Sequence, residues 1–260
     1  MTLRSPWLIA VLGSGLLAAC GFTAPAPGDD TVDPGPGPTD PKVERKCTRT
    51  DPTLKLCIDF DDPQALTGDG SGLGHDAAGT GFSVMTRGSE QAVAVDADSR
   101  LVVQETPDLD IASNLTLSLW ARPDRLPSEE KAYWAVDNNT QYYLSYQANG
   151  KFRCGVGPAT IDAFLGVPQG NWYHVACTYD QAQGKLKVYV NGQLGGCRAV
   201  TAPIPVNGTI GLAIGANHGS KETFTDQFVG GLDNIQVFAR TYSDNEICAA
   251  AGQHNCLSGC

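Results

Sequence analysis

Hydrophobic and polar residues alternate along much of the chain, with the period of two that is typical of β-strands. The segment "NLTLSLWARP" places three leucines on one strand face, and "KLKVYVNGQL" repeats the pattern before Asn191-Gly192, a dipeptide that favours a hairpin turn. Further strands are expected in "YYLSYQANGKFRCGV", which turns at Asn149-Gly150, and in "GTIGLAIGA". No segment before Ser243 has a convincing helical period. The pattern therefore predicts an all-β sandwich or barrel.

The stretch "GGLDNIQVFARTYSDNEI" near the C-terminus predicts a strand followed by a short helix. Ser243 and Glu246 have the spacing of a capping box, so the helix is expected to begin at about Asp244 and to end near Gly252. A carboxylate, Asp233, stands at the entrance of the preceding strand. Its presence beside a half-buried strand raises the question of what balances its charge.

The N-terminal residues have the composition of a secretion signal. Arg4 precedes an apolar run over residues 7–19 that is too short to span a bilayer as a stable helix, which predicts a signal peptide at 1–19. The end of this run, "LLAAC", resembles the lipobox of bacterial lipoproteins, which implies that Cys20 is lipidated and anchors the protein in the lipid bilayer. In that family an aspartate after the cysteine marks retention in the inner membrane, so Gly21 implies the outer membrane or the cell surface. The alternative is an ordinary cleavage site followed by a chance cysteine.

Residues 20–46 differ in composition from the rest of the chain: the cysteine is followed by six prolines, several glycines and acids, and almost no large apolar residues. Such a segment predicts a tether, which would reach roughly 80 Å if it were mostly polyproline-like. The folded domain is expected at 47–260, a length that suits a single β-sandwich. The net charge of -10 and the lack of lysine or arginine runs argue against nucleic acid as a partner.

Nine cysteines are many for a protein of a reducing compartment. Setting Cys20 aside leaves eight, an even number that favours four disulfides outside the cytoplasm. Zinc binding is the competing interpretation, but the chain lacks a C-x-x-C pair with a matching second pair of ligands. The residues expected to form disulfides are Cys47, Cys57, Cys154, Cys177, Cys197, Cys248, Cys256 and Cys260.

Four blocks of sequence occur in an order that resembles a known family. They are "DIASNLTLSLWARPD", "WYHVACTYDQAQGKLKVYVNGQLGG", "IGLAIGAN" and "FVGGLDNIQVFARTYSDNEI". The order resembles the laminin-G-like, concanavalin A-like jelly-roll domains over about residues 54–247. This implies an antiparallel two-sheet sandwich whose first and last strands are adjacent, with a short C-terminal helix. On that strand order Cys154 is expected to pair with Cys177, and the C-terminal cysteines to include a bond reaching back to Cys47 or Cys57.

Candidate catalytic groups are few, although the same fold includes hydrolases and lyases. The chain lacks the E-x-D-x-x-E spacing of glucanases with this architecture. Glu129 and Glu130 are neighbours and would face opposite sides of a strand. His174 lies mid-strand beside Trp172, and no G-x-S-x-G motif is present. We therefore expect a domain that is not an enzyme, with a polysaccharide-active enzyme of the same fold as an alternative.

The segment "AYWAVDNNTQYYLSY" combines aromatic rings and amides, which suit a glycan or a peptide. It predicts Trp134, Asn138, Asn139 and Tyr142 as ligand-binding residues, and a glycan or a surface protein as the partner. On the competing interpretation alternate aromatics, such as Tyr143, simply pack in the core. The other alternative is a structural or adhesive display module without glycan affinity.

Two carboxylates at the ends of the domain suggest a metal. In a sandwich whose first and last strands are adjacent, Asp61 in "IDFDD" and Asp233 in "GLDNIQ" would lie side by side and repel each other. A calcium ion between them would remove the repulsion, and glycine-rich loops would supply carbonyl ligands. The resemblance implies the same, since related jelly rolls hold a structural calcium with acids at matching positions. The alternative is that Asp233 caps a turn or accepts backbone N–H bonds.

Overall fold

A computed structural model of the protein describes residues 47, 50–129, 131–139, 141–206, 208–220 and 223–260. The expected signal peptide, Cys20 and the tether lie outside the described residues, as does Glu130. Within the described part of the chain, no helix is both long enough and apolar enough to cross a membrane.

The described residues form seventeen strands joined by turns and loops, with one helix near the C-terminus. The elements are β1 (Leu54–Ile58), β2 (Ala77–Thr80), β3 (Ser83–Arg87), β4 (Glu90–Val95), β5 (Arg100–Val103), β6 (Asn114–Pro123), β7 (Ala132–Asp137), β8 (Tyr142–Gln147), β9 (Phe152–Val156), β10 (Ala159–Asp162), β11 (Tyr173–Asp180), β12 (Lys185–Val190), β13 (Gln193–Ala199), β14 (Leu212–Ile214), β15 (Asn217–Ser220), β16 (Thr223–Thr225), β17 (Gly230–Phe238) and α1 (Asp244–Ala250).

Two antiparallel sheets pack face to face and confirm the predicted jelly-roll sandwich. The eight-stranded sheet has the order β13-β12-β11-β6-β17-β4-β3, and β1 also pairs with β17. The seven-stranded sheet has the order β10-β9-β8-β7-β14-β5-β2, and β15 and β16 form a separate hairpin. The predicted turn at Asn191-Gly192 joins β12 to β13, with positive φ at both residues.

The long strand β17 changes partner along its length. Its first residues pair with β4 and its last residues pair with β1, while β6 runs along its other side. The register against β6 shifts between Asp233 and Gln236, and Asn234 adopts a φ of 48°. Asp233 therefore lies at a bulge, where one neighbouring strand ends and the next begins.

The core lies between the sheets and confirms the alternation predicted for β6. Leu115, Leu117 and Leu119 are buried in it, and burying each side chain stabilises the fold by about 1.5–3 kcal/mol. The outer face of β6 is covered as well, because the hydroxyl of Thr116 donates to the carbonyl of Arg240. The chain after β17 thus packs back over the larger sheet.

Helix α1 confirms the capping box. The Ser243 side chain accepts from the backbone N–H of Glu246, and the Glu246 side chain accepts from the backbone N–H of Ser243. Ile247 on the buried face of the helix joins a second apolar cluster on the outer side of the larger sheet, which includes Tyr189 and Phe238. The helix therefore covers the part of that sheet formed by β11, β12 and β17.

Four disulfides are formed, and one of the expected pairings was wrong. Cys154 on β9 bonds to Cys177 on β11 and joins the two sheets, as the strand order suggested. The bond expected between the C-terminal cysteines and Cys47 or Cys57 is not formed. Cys47 pairs with Cys57, Cys248 with Cys256, and Cys260 with Cys197. The reason is that the chain after α1 runs along β13, where the backbone N–H of Leu194 donates to the carbonyl of Leu257.

Candidate ligand-binding face

The outer face of the smaller sheet carries an aromatic pair and an open groove. Along β8 and β9 the side chains of Leu144 and Phe152 enter the core. Residues in the alternate positions, which include Tyr143 and Arg153, therefore face outward. Trp134 on β7 belongs to this outward set, while its neighbour Tyr133 packs against the core.

Trp134 and Tyr143 form an aromatic pair on this face. Their ring centroids are 4.4 Å apart, and the ring planes are inclined by 47°. The Tyr143 ring lies directly over Gly155 on β9, where a Cβ atom would come within 2.1 Å of the ring. Glycine at this position therefore allows the ring to lie flat against the sheet. Burial raises the pKa of the Tyr143 hydroxyl, and the nearby Arg153 charge partly opposes this.

Trp134 lines an open groove of about 830 Å³. Ligand pockets commonly have volumes of about 300–1,000 Å³, and this groove falls in that range. The remaining lining is mainly polar. It includes Gln147, Asn149, Arg153, Asn217 and Asp226.

Charged side chains at the groove are held by partners. Arg153 makes two hydrogen bonds to Asp162 on β10, at 2.6 and 3.0 Å. This pairing raises the pKa of Arg153 and fixes the guanidinium as a planar donor. Lys131 lies 3.7 Å from Asp226. The groove thus presents a partly exposed aromatic ring together with oriented donors and acceptors.

The β15–β16 hairpin forms one wall of the groove and is tied to β7. The backbone N–H of His218 donates to Asp137 at 3.0 Å, and the His218 ring stacks on Phe224 with centroids 4.6 Å apart. The backbone N–H of Trp134 donates to the carbonyl of Asp226 at 3.1 Å. Backbone hydrogen bonds therefore join the β15–β16 wall of the groove to β7, the strand that carries Trp134.

The structure separates the residues that the sequence grouped as ligand contacts. Trp134 lines the groove, but Asn138 and Tyr142 are fully buried, and both donate to the carbonyl of Leu109. These two predictions are corrected, since a buried and hydrogen-bonded side chain is not presented to a surface ligand. Asn139 is partly exposed in the β7–β8 turn, with a φ of 43°, and does not line the groove.

The sequence also predicted incorrectly which of the two adjacent tyrosines of β8 faces the core. The core contains Tyr142, while Tyr143 lies on the outer face. Three further residues of the groove were not predicted from the sequence: Gln147, Arg153 and Asn217. Alternation counted from Tyr143 would have found Gln147. No local signal marks Asn217, because only the folding of the hairpin onto β7 brings it to the groove.

Asp61 and Asp233, the two carboxylates expected to share a calcium ion, each have protein partners. Asp233 is 0% exposed, and Arg87 at the end of β3 donates to it at 2.7 Å. Asp61 accepts from the backbone N–H of Gln91 at 2.8 Å. Arg87 also pairs with Glu90 and lies 4.4 Å from the centroid of the Trp120 ring.

This arrangement does not fit a calcium ion at Asp233. The guanidinium of Arg87 occupies the place of the counter-ion, and a second cation beside it would be repelled. Burial raises the pKa of Asp233 to about 7, and the Arg87 charge only partly offsets it. In the described residues no group of three or more His, Cys, Asp or Glu side chains is arranged to hold a metal. We therefore derive no role for a metal at this position.

The two-sheet jelly-roll fold defines a concanavalin A-like domain class, and the sequence comparison agrees. Residues 87–248 match the family model of the concanavalin A-like lectin/glucanases superfamily, which covers more than half of the chain. The protein belongs to this family. No curated protein matches the sequence.

Several solved structures share this fold at low sequence identity. Domain 4 of AbnA, an extracellular arabinanase of Geobacillus stearothermophilus solved with arabinotriose, has a TM-score of 0.60 and 19% identity, covering 76% of this chain and 98% of that chain. The binding domain of Paraclostridial Mosquitocidal Protein 1 has a TM-score of 0.62 and 17% identity, covering 77% and 52%. Botulinum neurotoxin type C, whose cell entry depends on two ganglioside molecules, has a TM-score of 0.61 and 15% identity, covering 77% and 51%. The chain spans about half the length of the two toxin structures, and at these identities the likeness concerns the fold.

Proposed function

We propose that this protein is a non-catalytic, glycan-binding module held at the bacterial surface by a lipid at Cys20. The observation that carries the proposal is the open groove in which Trp134, backed by Tyr143, lies beside the paired Arg153 and Asp162. Sugar rings present apolar C–H faces and hydroxyl edges. An aromatic floor with fixed donors and acceptors matches both.

The similar structures support the ligand class. The arabinanase domain was solved with arabinotriose, and cell entry by the type C neurotoxin depends on gangliosides. Both ligands contain carbohydrate. The groove of this protein has the size and polarity for a short oligosaccharide.

The charged groups at the groove favour binding over hydrolysis. Asp162 is hydrogen-bonded to Arg153 as its ion-pair partner, and Asp226 lies 3.7 Å from Lys131, so both carboxylates are engaged by neighbouring cations. The groove therefore offers oriented hydrogen bonds. Incubation with arabinan, glucan and other polysaccharides is expected to release no reducing ends, and their release would revive the enzyme alternative.

Substitution of Trp134 tests the glycan groove. The full chain is screened on a glycan array that includes arabino-oligosaccharides and ganglioside oligosaccharides, and each hit is titrated by calorimetry. Trp134→Ala is expected to weaken binding about tenfold or more, because the aromatic contact with the sugar is lost.

Trp172→Ala is the matched control. Trp172 is also a partly buried tryptophan, but it packs beside Arg122 and Gly231 on the larger sheet, away from the groove. The Trp172→Ala variant should bind the glycan identified on the array as tightly as the wild type does. If Trp134→Ala and Trp172→Ala bind equally well, or if no glycan binds, the proposed groove is wrong.

A protein partner is the second candidate, and one observation favours it. Phe164 and Leu165, in the loop after β10, are 66% and 79% exposed. The loop packs on the β8–β9 turn, where the backbone N–H of Val167 donates to the carbonyl of Gly150. Exposed apolar residues next to a groove are typical of protein contacts. A surface-protein screen in which Phe164→Ser removes binding, while Trp134→Ala does not, would favour this function.

A further inference from the structure

The groove carries two cations, and each of them lies beside a carboxylate. Of the described residues that line the groove, Lys131, Arg153 and Asp226 are charged, and Arg153 is paired with Asp162 on the neighbouring strand. The other polar residues of the lining are uncharged: Gln147, Asn149, Asn217 and Thr225. Positive and negative charges are therefore balanced at the groove.

The Arg153–Asp162 pair ends a row of directly opposed residues that crosses four strands of the smaller sheet. Trp134 on β7 pairs with Ser145 on β8, and Ser145 pairs with Arg153 on β9. Arg153 pairs in turn with Asp162 on β10. Directly opposed side chains stand on the same face of a sheet. Since neighbouring strands are spaced by about 4.8 Å, the backbone of Arg153 lies about 10 Å from that of Trp134. A ligand that extends along this row from the Trp134 ring therefore reaches the ion pair.

The Arg153 guanidinium already binds a carboxylate. Its Nε and Nη2 atoms donate to the two carboxylate oxygens of Asp162 at 2.6 and 3.0 Å, which is the bidentate geometry of a strong ion pair. The other cross-strand neighbour, Ser145, is buried and accepts from Gln147 Nε2 at 2.8 Å. The remaining N–H groups of Arg153 can donate to a ligand hydroxyl, but the charge of the guanidinium is already balanced.

Lys131 is balanced less firmly, by Asp226 at 3.7 Å. The Lys131 side chain is 64% exposed, so water and salt screen its charge, whereas the Asp226 side chain is 26% exposed. Asp226 is also held in place, because its carbonyl accepts the backbone N–H of Trp134. An acidic ligand would gain little from Lys131, and the fixed carboxylates of Asp162 and Asp226 would repel it.

We propose that the groove selects uncharged oligosaccharides and that Asp162 determines this preference. The preference rests on the glycan function proposed above and names the class of glycan. A ligand carboxylate at Arg153 would have to displace Asp162 or lie against it, and contacts between like charges are unfavourable. Sugar hydroxyls meet no such barrier, because they can accept from Arg153 and donate to Asp162. The net charge of -10 adds a weaker repulsion of acidic ligands.

Matched neutral and acidic glycans test this preference on the full chain. The array carries ganglioside oligosaccharides with and without sialic acid, and oligogalacturonates beside their carboxyl-reduced forms. Each hit is titrated by calorimetry together with its matched partner. The neutral member of a pair is expected to bind about tenfold or more tightly than the acidic member. Its affinity should change little with added salt, since the ligand forms no ion pair.

Asp162→Asn tests the residue that is proposed to determine the preference. The amide keeps the size of the side chain but leaves the Arg153 charge unbalanced, so the ratio of acidic to neutral affinity should rise about tenfold or more. Asp162→Glu retains the charge and should show the wild-type ratio.

Asp124→Asn is the matched control, because it removes the same charge from another arginine–aspartate pair. Asp124 accepts two hydrogen bonds from Arg122, at 2.9 and 3.0 Å, and does not line the groove. This variant should keep the wild-type ratio. A similar rise in Asp124→Asn and Asp162→Asn would show a general charge effect, and an unchanged ratio in Asp162→Asn would likewise overturn the role of Asp162.

The failure of this preference is distinguishable from the failure of glycan binding. A wild type that binds acidic glycans as tightly as their neutral partners overturns the preference and leaves the glycan groove in place. Binding of no glycan overturns both. If Asp162→Asn fails to fold, the salt dependence of the wild type decides, because a neutral glycan whose affinity falls about tenfold with added salt contradicts the balanced charges.

Discussion

At the scale of single residues, Asp233 shows how a buried carboxylate is balanced. It lies where β17 exchanges β4 for β1, and its partner Arg87 is 146 residues away in sequence. The sequence predicts that a charge at this point needs a cation. It does not identify Arg87, because that pairing exists only once β3, β4 and β17 lie side by side.

The protonation of Asp233 predicts how its contribution to stability depends on pH. Its pKa in the folded protein is about 7, above the ordinary value of 3.8, so the folded state holds the proton more tightly than the unfolded chain. The contribution is therefore fully present below about pH 4 and is lost as the pH rises through about 7. Asp233→Asn removes this titration. Relative to the variant, the wild type should lose roughly 2–4 kcal/mol of unfolding free energy over that interval.

Urea denaturation of both proteins at several pH values measures this difference. Other carboxylates have lowered pKa values, Asp69 and Asp244 among them, and they add stability as the pH rises in both proteins. Only the difference between wild type and Asp233→Asn reports on Asp233. Asp108→Asn serves as the control and should follow the wild-type curve. A difference that is constant with pH would contradict the raised pKa.

At the scale of elements, local signals predicted the fold well. The alternation in β6, the Asn191-Gly192 turn and the capping box of α1 are each encoded within a few adjacent residues. The β15–β16 hairpin has no comparable run of alternating apolar residues and was not predicted. Local patterns thus predict elements that bury one regular face, and they fail where a short hairpin is held by its neighbours.

The ligand groove was predicted only in part, for two physical reasons. Its polar residues come from β8, β9 and the β15–β16 hairpin, so only the pairing between strands brings them together. In addition, the register between β7 and β8 shifts between Trp134 and Val136, and both Ala135 and Val136 face the core. This bulge interrupts the alternation of inward-facing and outward-facing side chains along β7. Counting in twos from Trp134 would therefore place Asn138 on the outer face, whereas it is buried.

The helix cap offers a prediction at this scale. Ser243→Ala removes the side chain that accepts from the backbone N–H of Glu246, and is expected to lower the unfolding free energy by about 1 kcal/mol. Chemical denaturation measures the loss. Ser243→Asp, which keeps an accepting oxygen at the N-cap, should restore most of it. Equal stability of Ser243→Ala and wild type would show that α1 is held by its apolar face and not by the cap.

At the scale of the whole molecule, the proposed groove and the C-terminal helix lie on different sheets. The groove lies on the smaller sheet, and α1 covers the outer side of the larger one. The domain therefore leaves the outer face of the smaller sheet available to a ligand. This division suits the surface-held binding module proposed above.

The lipid anchor is tested on the intact protein in cells. Cys20→Ser is expected to release the protein into the soluble fraction or to block its processing, since serine cannot accept the thioether-linked lipid. Fractionation and mass spectrometry of the N-terminus provide the measurement. Gly21→Asp is the matched control and should stay lipidated while moving toward the inner membrane. Unchanged membrane retention of Cys20→Ser would remove the anchor from the proposed function.

The Cys47–Cys57 disulfide determines how a pulling force would enter the domain. Tension passed along the chain from the N-terminal side reaches Cys47 first, and the bond carries it directly to Cys57, within β1. The residues between the two cysteines, which include Leu54 and Leu56, do not carry this tension. Their pairing with β17 is therefore not broken residue by residue from the N-terminal end of β1. A module that holds a ligand under tension would therefore meet the force at a residue already paired with β17, and not at the first residue of β1.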